Sequence, residues 1–184
     1  MRGPLRAQPR YAEPLPVTPG VRRLGWYALG LAIAGLVTCG GGALLGFGAR
    51  EKWRKLQCRG NLDQIALLTI MYSGDHDGWL PPAGTWCDSV VIPYGDSTRW
   101  LRCPSARRAP CGYASNASLG GRNRGKIDRL ESVPLEYDAT GGWNAAGGPE
   151  LFAPRHGGYG YIAFADGHVK QQRVKDLDTL IWNP

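Results

Sequence analysis

Near its C-terminal end the chain reads "RHGGYGYIAFADGHVK" over 155–170. This sets His156 ahead of an Asp166-Gly167 pair with nine residues between them, and places His168 directly after the pair. Imidazoles and carboxylates are the side chains that hold a divalent metal or move a proton, so the stretch is the first candidate for chemistry. The other carboxylates and imidazoles of interest are Asp75, His76 and Asp77 in one turn-rich run, and Asp138 farther on. Strand arithmetic tests the simplest grouping. Asp-Gly is a favoured two-residue hairpin turn, so Asp166-Gly167 is expected to join two strands, with Ala165 opposite His168 and Phe164 opposite Val169. Six strand residues from Gly160 to Ala165 span roughly 17–20 Å. His156 then sits at the base of the hairpin and Asp166 at its tip, which prevents them from sharing one ion. A site joining His156 to Asp138, or to the loop of Asp75 and Asp77, stays open. Nucleophilic catalysis has little to work with: there is no G-x-S-x-G, and neither Ser105 nor Ser115 has an evident base.

Four cysteines, Cys58, Cys87, Cys103 and Cys111, fall in a loop-rich region without a CxxC or Cys/His zinc spacing. Such a set predicts two disulfides and an oxidising compartment. Three pairings are open on the residues alone.

The elements that must position these groups follow from periodicity. Trp53, Leu56, Leu62, Ile65, Leu68 and Tyr72 form a helical stripe that predicts a helix over 49–72, ending at Ser73-Gly74. Residues 73–131 are expected to be mostly loop, with "CDSVVIPYG" a short helix or an edge strand. From 132 to 175 the pattern turns to strand. Val133, Leu135 and Tyr137 alternate, and Ile162, Phe164 and Val169 are expected on the inward face of the hairpin. The predicted fold is α+β: a long N-terminal helix packed on a small antiparallel sheet with a C-terminal β-hairpin and long loops. Trp79, Trp86, Trp100 and Trp143 fall in the loops, where they suit either a small core or a glycan-binding surface.

The net charge of +7 is unevenly placed. Residues 1–23 carry five arginines and one glutamate, and 49–60 carry five Lys or Arg and one Glu; 61–184 carry twelve basic and thirteen acidic side chains. A nucleic-acid module needs its basic excess on the folded part, so nucleic acid is excluded as a partner. The basic clusters flank residues 24–48, which contain no charge. As a helix this stretch is about 37 Å long, enough to cross a bilayer core of about 30 Å. The domain organisation expected is therefore a disordered Pro/Arg-rich tail over 1–23, a transmembrane helix over 24–48 and an extracytoplasmic domain over 49–184. The N-terminus is expected inside and the lipid bilayer is the first partner.

"CRGNLDQIALLTIMYSGDHDGWLPP" after an apolar helix, then "LRCPS", "YASN" and "RHGGYGYIAFADGHVK", resembles bacterial prepilin-like proteins with a C-terminal H-x9-DG domain, related to type II secretion pseudopilins. In that resemblance His156, Asp166, Gly167 and His168 are the motif residues. It implies an inner-membrane anchor, a periplasmic αβ domain and a noncatalytic structural or assembly role beside other pilin-like or secretion-system subunits. It requires no cofactor, although related pseudopilins hold calcium. It favours Cys58–Cys103 as one disulfide, because both lie in the family-like segments, leaving Cys87–Cys111. The prepilin cleavage motif has no counterpart at Gly20-Val21-Arg22-Arg23-Leu24, so an uncleaved anchor is expected. Two other functions are to be weighed against this one: a metal-dependent envelope enzyme, and an extracytoplasmic ligand-binding module using the loop tryptophans.

Overall fold

A computed structural model describes residues 19–184 apart from 96, 107 and 108; the side chains of 19–25 and 33–47 also lie outside the described residues. The expected tail over 1–23 falls almost wholly outside them. The chain divides into two units, Met1–Gly48 and Ala49–Pro184. The backbone is helical from Pro19 to Asp75, here α1, and in the first unit Trp26, Tyr27, Leu29 and Leu31 are exposed.

Among the described residues no helix is long and apolar enough to cross a membrane. This overturns the expected transmembrane helix over 24–48, with the inner-membrane, N-terminus-inside placement that depended on it. The centre of that stretch lies outside the described side chains.

In the second unit α1 runs beside a five-stranded sheet of order β3-β1-β2-β4-β5. The strands are β1 (Tyr113–Asn116), β2 (Pro134–Asp138), β3 (Ala146–Gly147), β4 (Gly160–Phe164) and β5 (Val169–Gln172). The sheet is mixed rather than wholly antiparallel, because β3 pairs parallel to β1. The cause is local. Trp86 Nε1 donates to Ala145 O at 2.9 Å, and the Cys87 amide donates to Asn144 Oδ1 at 2.8 Å. These bonds hold residues 144–147 beside β1 in the parallel sense. The expected loop region also contains β1 itself and a helical turn, Cys87–Val91 followed by α2 (Ile92–Tyr94).

Both faces of the sheet are covered. Cys58, Leu62, Ile65 and Ala66 of α1 pack with Trp86, Leu101, Tyr113, Tyr161 and Ala163. On the other face Tyr137, Ile162 and Phe164 pack with Phe152, Leu177 and Trp182. The helical stripe expected from sequence is split by this arrangement: Leu62, Ile65 and Leu68 are buried, while Trp53 and Leu56 are exposed.

The hairpin forms with a shifted register. Ala163 pairs with Val169, and the Phe164 amide donates to His168 O at 2.9 Å. Ala165-Asp166-Gly167 is thus a three-residue turn, closed by the Gly167 amide donating to Phe164 O at 2.8 Å, with Gly167 at φ 101°. A one-residue slip exchanges faces. Val169 accordingly packs with the α1-side core while Ile162 and Phe164 pack on the opposite side.

Trp86 is fully buried, so it belongs to the core rather than to a ligand surface. Trp86→Ala is expected to cost about 3–5 kcal/mol, as for other buried Trp or Phe truncations. Urea unfolding monitored by circular dichroism measures this, and a loss below 1 kcal/mol (about one CH₂ of burial) contradicts the placement.

Candidate functional site

The sequence residues converge differently from the first grouping. Cys58 comes from the middle of α1 and Cys103 from the loop after the 3-10 turn Thr98–Leu101. Asp138 ends β2, and His156 opens the turn before β4. Cys58 and Cys103 form a disulfide with a Cα–Cα distance of 5.2 Å. His156 Nε2 lies 3.2 Å from Asp138 Oδ2 and 3.9 Å from Cys103 Sγ. All four residues are buried, and their potential ligand atoms lie within 4.8 Å of one another.

Local chemistry explains the positions. Gly157 and Gly158 take φ of 80° and 89°, values that L side chains rarely adopt. Their bend lets the His156 amide donate to Tyr159 O at 2.9 Å, turning the imidazole beneath the sheet. The Tyr161 amide donates to Asp138 Oδ2 at 2.9 Å, fixing the carboxylate. Asn61 Nδ2 donates to Arg102 O at 3.0 Å and to the Tyr113 hydroxyl at 3.2 Å, tying α1 to the Cys103 loop. The Arg155 guanidinium donates to the Gly112 and Ala139 carbonyls and braces the start of the same turn. Burial holds the Tyr113 phenol well above its ordinary pKa. Asp138 Oδ1 and His156 Nδ1 are buried without a hydrogen-bond partner.

A Cys-His-Asp relay does not fit this geometry. Such a relay needs the thiol at one ring nitrogen and the carboxylate at the other. Here Cys103 and Asp138 both face Nε2, and Cys103 is already bonded to Cys58.

The remaining candidates lie elsewhere. Asp166 Oδ1 accepts from the His168 amide at 3.1 Å and meets His168 Nδ1 at 2.7 Å, while the His168 ring stacks on Phe164. That pair serves the hairpin turn. Asp75 ends α1, His76 stacks on Tyr72, and Asp77 is an exposed turn residue at φ 51°. None of them joins the buried cluster. Trp79 and Trp143 are exposed, and Trp143 donates from Nε1 to Asp88 Oδ1 at 2.9 Å.

Cys87 and Cys111 are buried free thiols rather than a second disulfide. The interaction of the two thiols, in which Cys87 hydrogen-bonds to Cys111, raises Cys87 with burial adding to the shift, and lowers Cys111 against the opposing effect of burial. The Asn144 amide donates to Cys87 Sγ at 3.4 Å, and the Cys111 thiol donates to Tyr113 O at 3.3 Å. Glu136 is the functional-type residue that sequence reasoning missed. It is buried on the α1 side, accepts from Thr69 Oγ1 at 2.6 Å, and its Oε2 has no partner. Its position one residue from Tyr137 in an alternating strand gave no signal that a helix would cover its face.

Two expectations follow. Peptide mapping of the unreduced protein should find Cys58 linked to Cys103, with Cys87 and Cys111 alkylated only after unfolding; rapid labelling of either in the folded chain contradicts their burial. Burial pushes the Glu136 carboxyl up from 4.5 to about 7. Because the folded state then holds the proton more tightly than the unfolded state, this group's contribution to stability falls as pH rises from 4.5 to about 7. The decline amounts to about 3 kcal/mol. Glu136→Gln should flatten that part of the stability profile in denaturant titrations; an unchanged slope excludes Glu136 as its source. Comparison of the chain with protein-family models, curated proteins and solved structures finds no match.

Proposed function

We propose that this chain is a noncatalytic structural or assembly protein, pseudopilin-like in plan, whose α+β unit is presented to other pilin-like or secretion-system subunits. One observation carries the reading: α1 has a second apolar row on its outer face. Trp53, Leu56, Leu67 and Met71 are 60%, 67%, 49% and 47% exposed. At about 100° per residue they occupy a sector of about 60°, nearly opposite the core-facing row of Cys58, Leu62, Ile65 and Thr69. The inner row is accounted for by the sheet it covers. The outer row is the kind of exposed apolar surface that marks an interaction site.

The noncatalytic half of the proposal is supported by the closed centre. Asp138 and His156 of that centre are buried, and its two sulfurs, Cys58 and Cys103, are tied in a disulfide.

A photo-crosslinking residue placed at 56 or 67, in the native host, tests the proposal. Discrete adducts with other subunits are expected from both positions and none from 171, an exposed site on β5. Leu67→Glu should abolish the adducts formed from 56 while changing unfolding free energy by no more than about 0.5 kcal/mol, as for other surface substitutions. Absence of adducts at both positions, or the same products at 171, removes the assembly reading.

A further inference from the structure

We propose that reduction of Cys58–Cys103 converts the buried centre into a zinc site whose ligands are Cys58, Cys103, Asp138 and His156. This is independent of the assembly role. A tetrahedral site with Zn–S of about 2.3 Å and Zn–N or Zn–O of about 2.0 Å has edges of about 3.3 Å between N and O and about 3.5 Å between S and N. His156 Nε2 already stands 3.2 Å from Asp138 Oδ2 and 3.9 Å from Cys103 Sγ. Two edges of the tetrahedron therefore exist before any metal arrives. The two sulfurs must separate from bonding distance to about 3.8 Å, the S–S edge of the same tetrahedron. Side-chain rotation at a Cα–Cα distance of 5.2 Å accommodates that change.

The Asp138 carboxylate also has an oxygen to spare: Oδ1 is buried without a hydrogen-bond partner, while Oδ2 already holds the Tyr161 amide. Two thiolates, an imidazole and one carboxylate form a soft, mixed donor set, which favours zinc over the all-oxygen shell that calcium requires. Entry is available at a surface cavity of about 650 Å³ lined by Trp53, Gln57, Arg102, Cys103, Pro104 and Pro110.

The redox step balances with a dithiol as reductant. Its two electrons and two protons pass to the disulfide, giving two cysteine thiols and the oxidised form of the reductant. Zinc binding then forms two Zn–S bonds and releases both thiol protons to solvent. The oxidised protein offers no thiolate at this centre and is expected to bind no zinc there.

The test uses the full-length chain, reduced with a dithiol, freed of reductant under anaerobic conditions and titrated with Co²⁺. One Co²⁺ per chain is expected, with the visible bands of tetrahedral cobalt and thiolate charge transfer, displaced by Zn²⁺. The unreduced protein should show neither band. Cys87→Ser/Cys111→Ser should retain the spectrum, and Cys58→Ser/Cys103→Ser should lose it. Asp138→Asn and His156→Gln should each weaken binding by at least about tenfold, the loss that even an outer-shell partner causes. Thermal unfolding of the reduced wild-type chain should shift upward with Zn²⁺, which keeps the test decisive if a variant fails to fold. Absence of cobalt bands in the reduced protein, their survival in Cys58→Ser/Cys103→Ser, or no upward shift with Zn²⁺ overturns the proposal.

Discussion

The closure of α1 over one face of the sheet is the constraint on which the rest of the second unit depends, and Cys58–Cys103 is its covalent pin. The linked cysteines are 45 residues apart in sequence. Closing a loop of that length in the unfolded chain is worth about 4 kcal/mol on a chain-entropy account, a large share of the stability of about 5–15 kcal/mol typical of a domain. With the helix held there, Leu62, Ile65 and Ala66 lie against Tyr113, Tyr161 and Ala163. Asn61 reaches both the Cys103 loop and β1. Among the described residues the regular elements between α1 and β1 are only short helical turns, so their positions follow from these attachments.

Covering that face has an electrostatic consequence. In a half-exposed sheet, Glu136 and Asp138 would point to water. Here both are buried beneath α1 or beside the disulfide. Each finds some compensation, Glu136 from the Thr69 hydroxyl and Asp138 from the Tyr161 amide and His156. Each also keeps one oxygen without a partner. Groups in such surroundings have two uses: to hold a proton or to hold a cation. Glu136, remote from sulfur and nitrogen donors in its hydrogen bonding, suits the first, and Asp138, next to His156 and Cys103, suits the second.

The legible parts of the fold were those governed by local periodicity. The helix through 49–72 and the strands over Val133–Tyr137 and Gly160–Gln172 show in the spacing of their apolar residues. The Asp166-Gly167 turn was legible as a turn but not as a three-residue one, because the register also depends on the Ala165 amide donating to Val133 O across the sheet. That bond is nonlocal, and it moved Val169 to the other face. β1 was missed because "YASN" is short and carries no alternation; its strand character comes from pairing with β2 and β3. The membrane expectation rested on the length of the uncharged stretch 24–48 and the basic clusters beside it, and among the described residues no helix is long and apolar enough to cross a membrane.

By itself the amino-acid sequence determined the helix through 49–72, the strands around Val133–Tyr137 and on either side of Asp166-Gly167, and that Asp166-Gly167 would turn the chain between its strands. These follow from dihedral preferences and from periods of 3.6 and 2 residues, which act over a few positions. Strand arithmetic had already parted His156 from Asp166; only the tertiary structure decided that His156 belongs with Asp138 and two cysteines. That grouping draws on α1, a loop, a strand end and a turn spread over almost a hundred residues, and nothing local specifies it. The packing of a helix onto a sheet brought them together, and the exclusion of water there makes their grouping chemically significant.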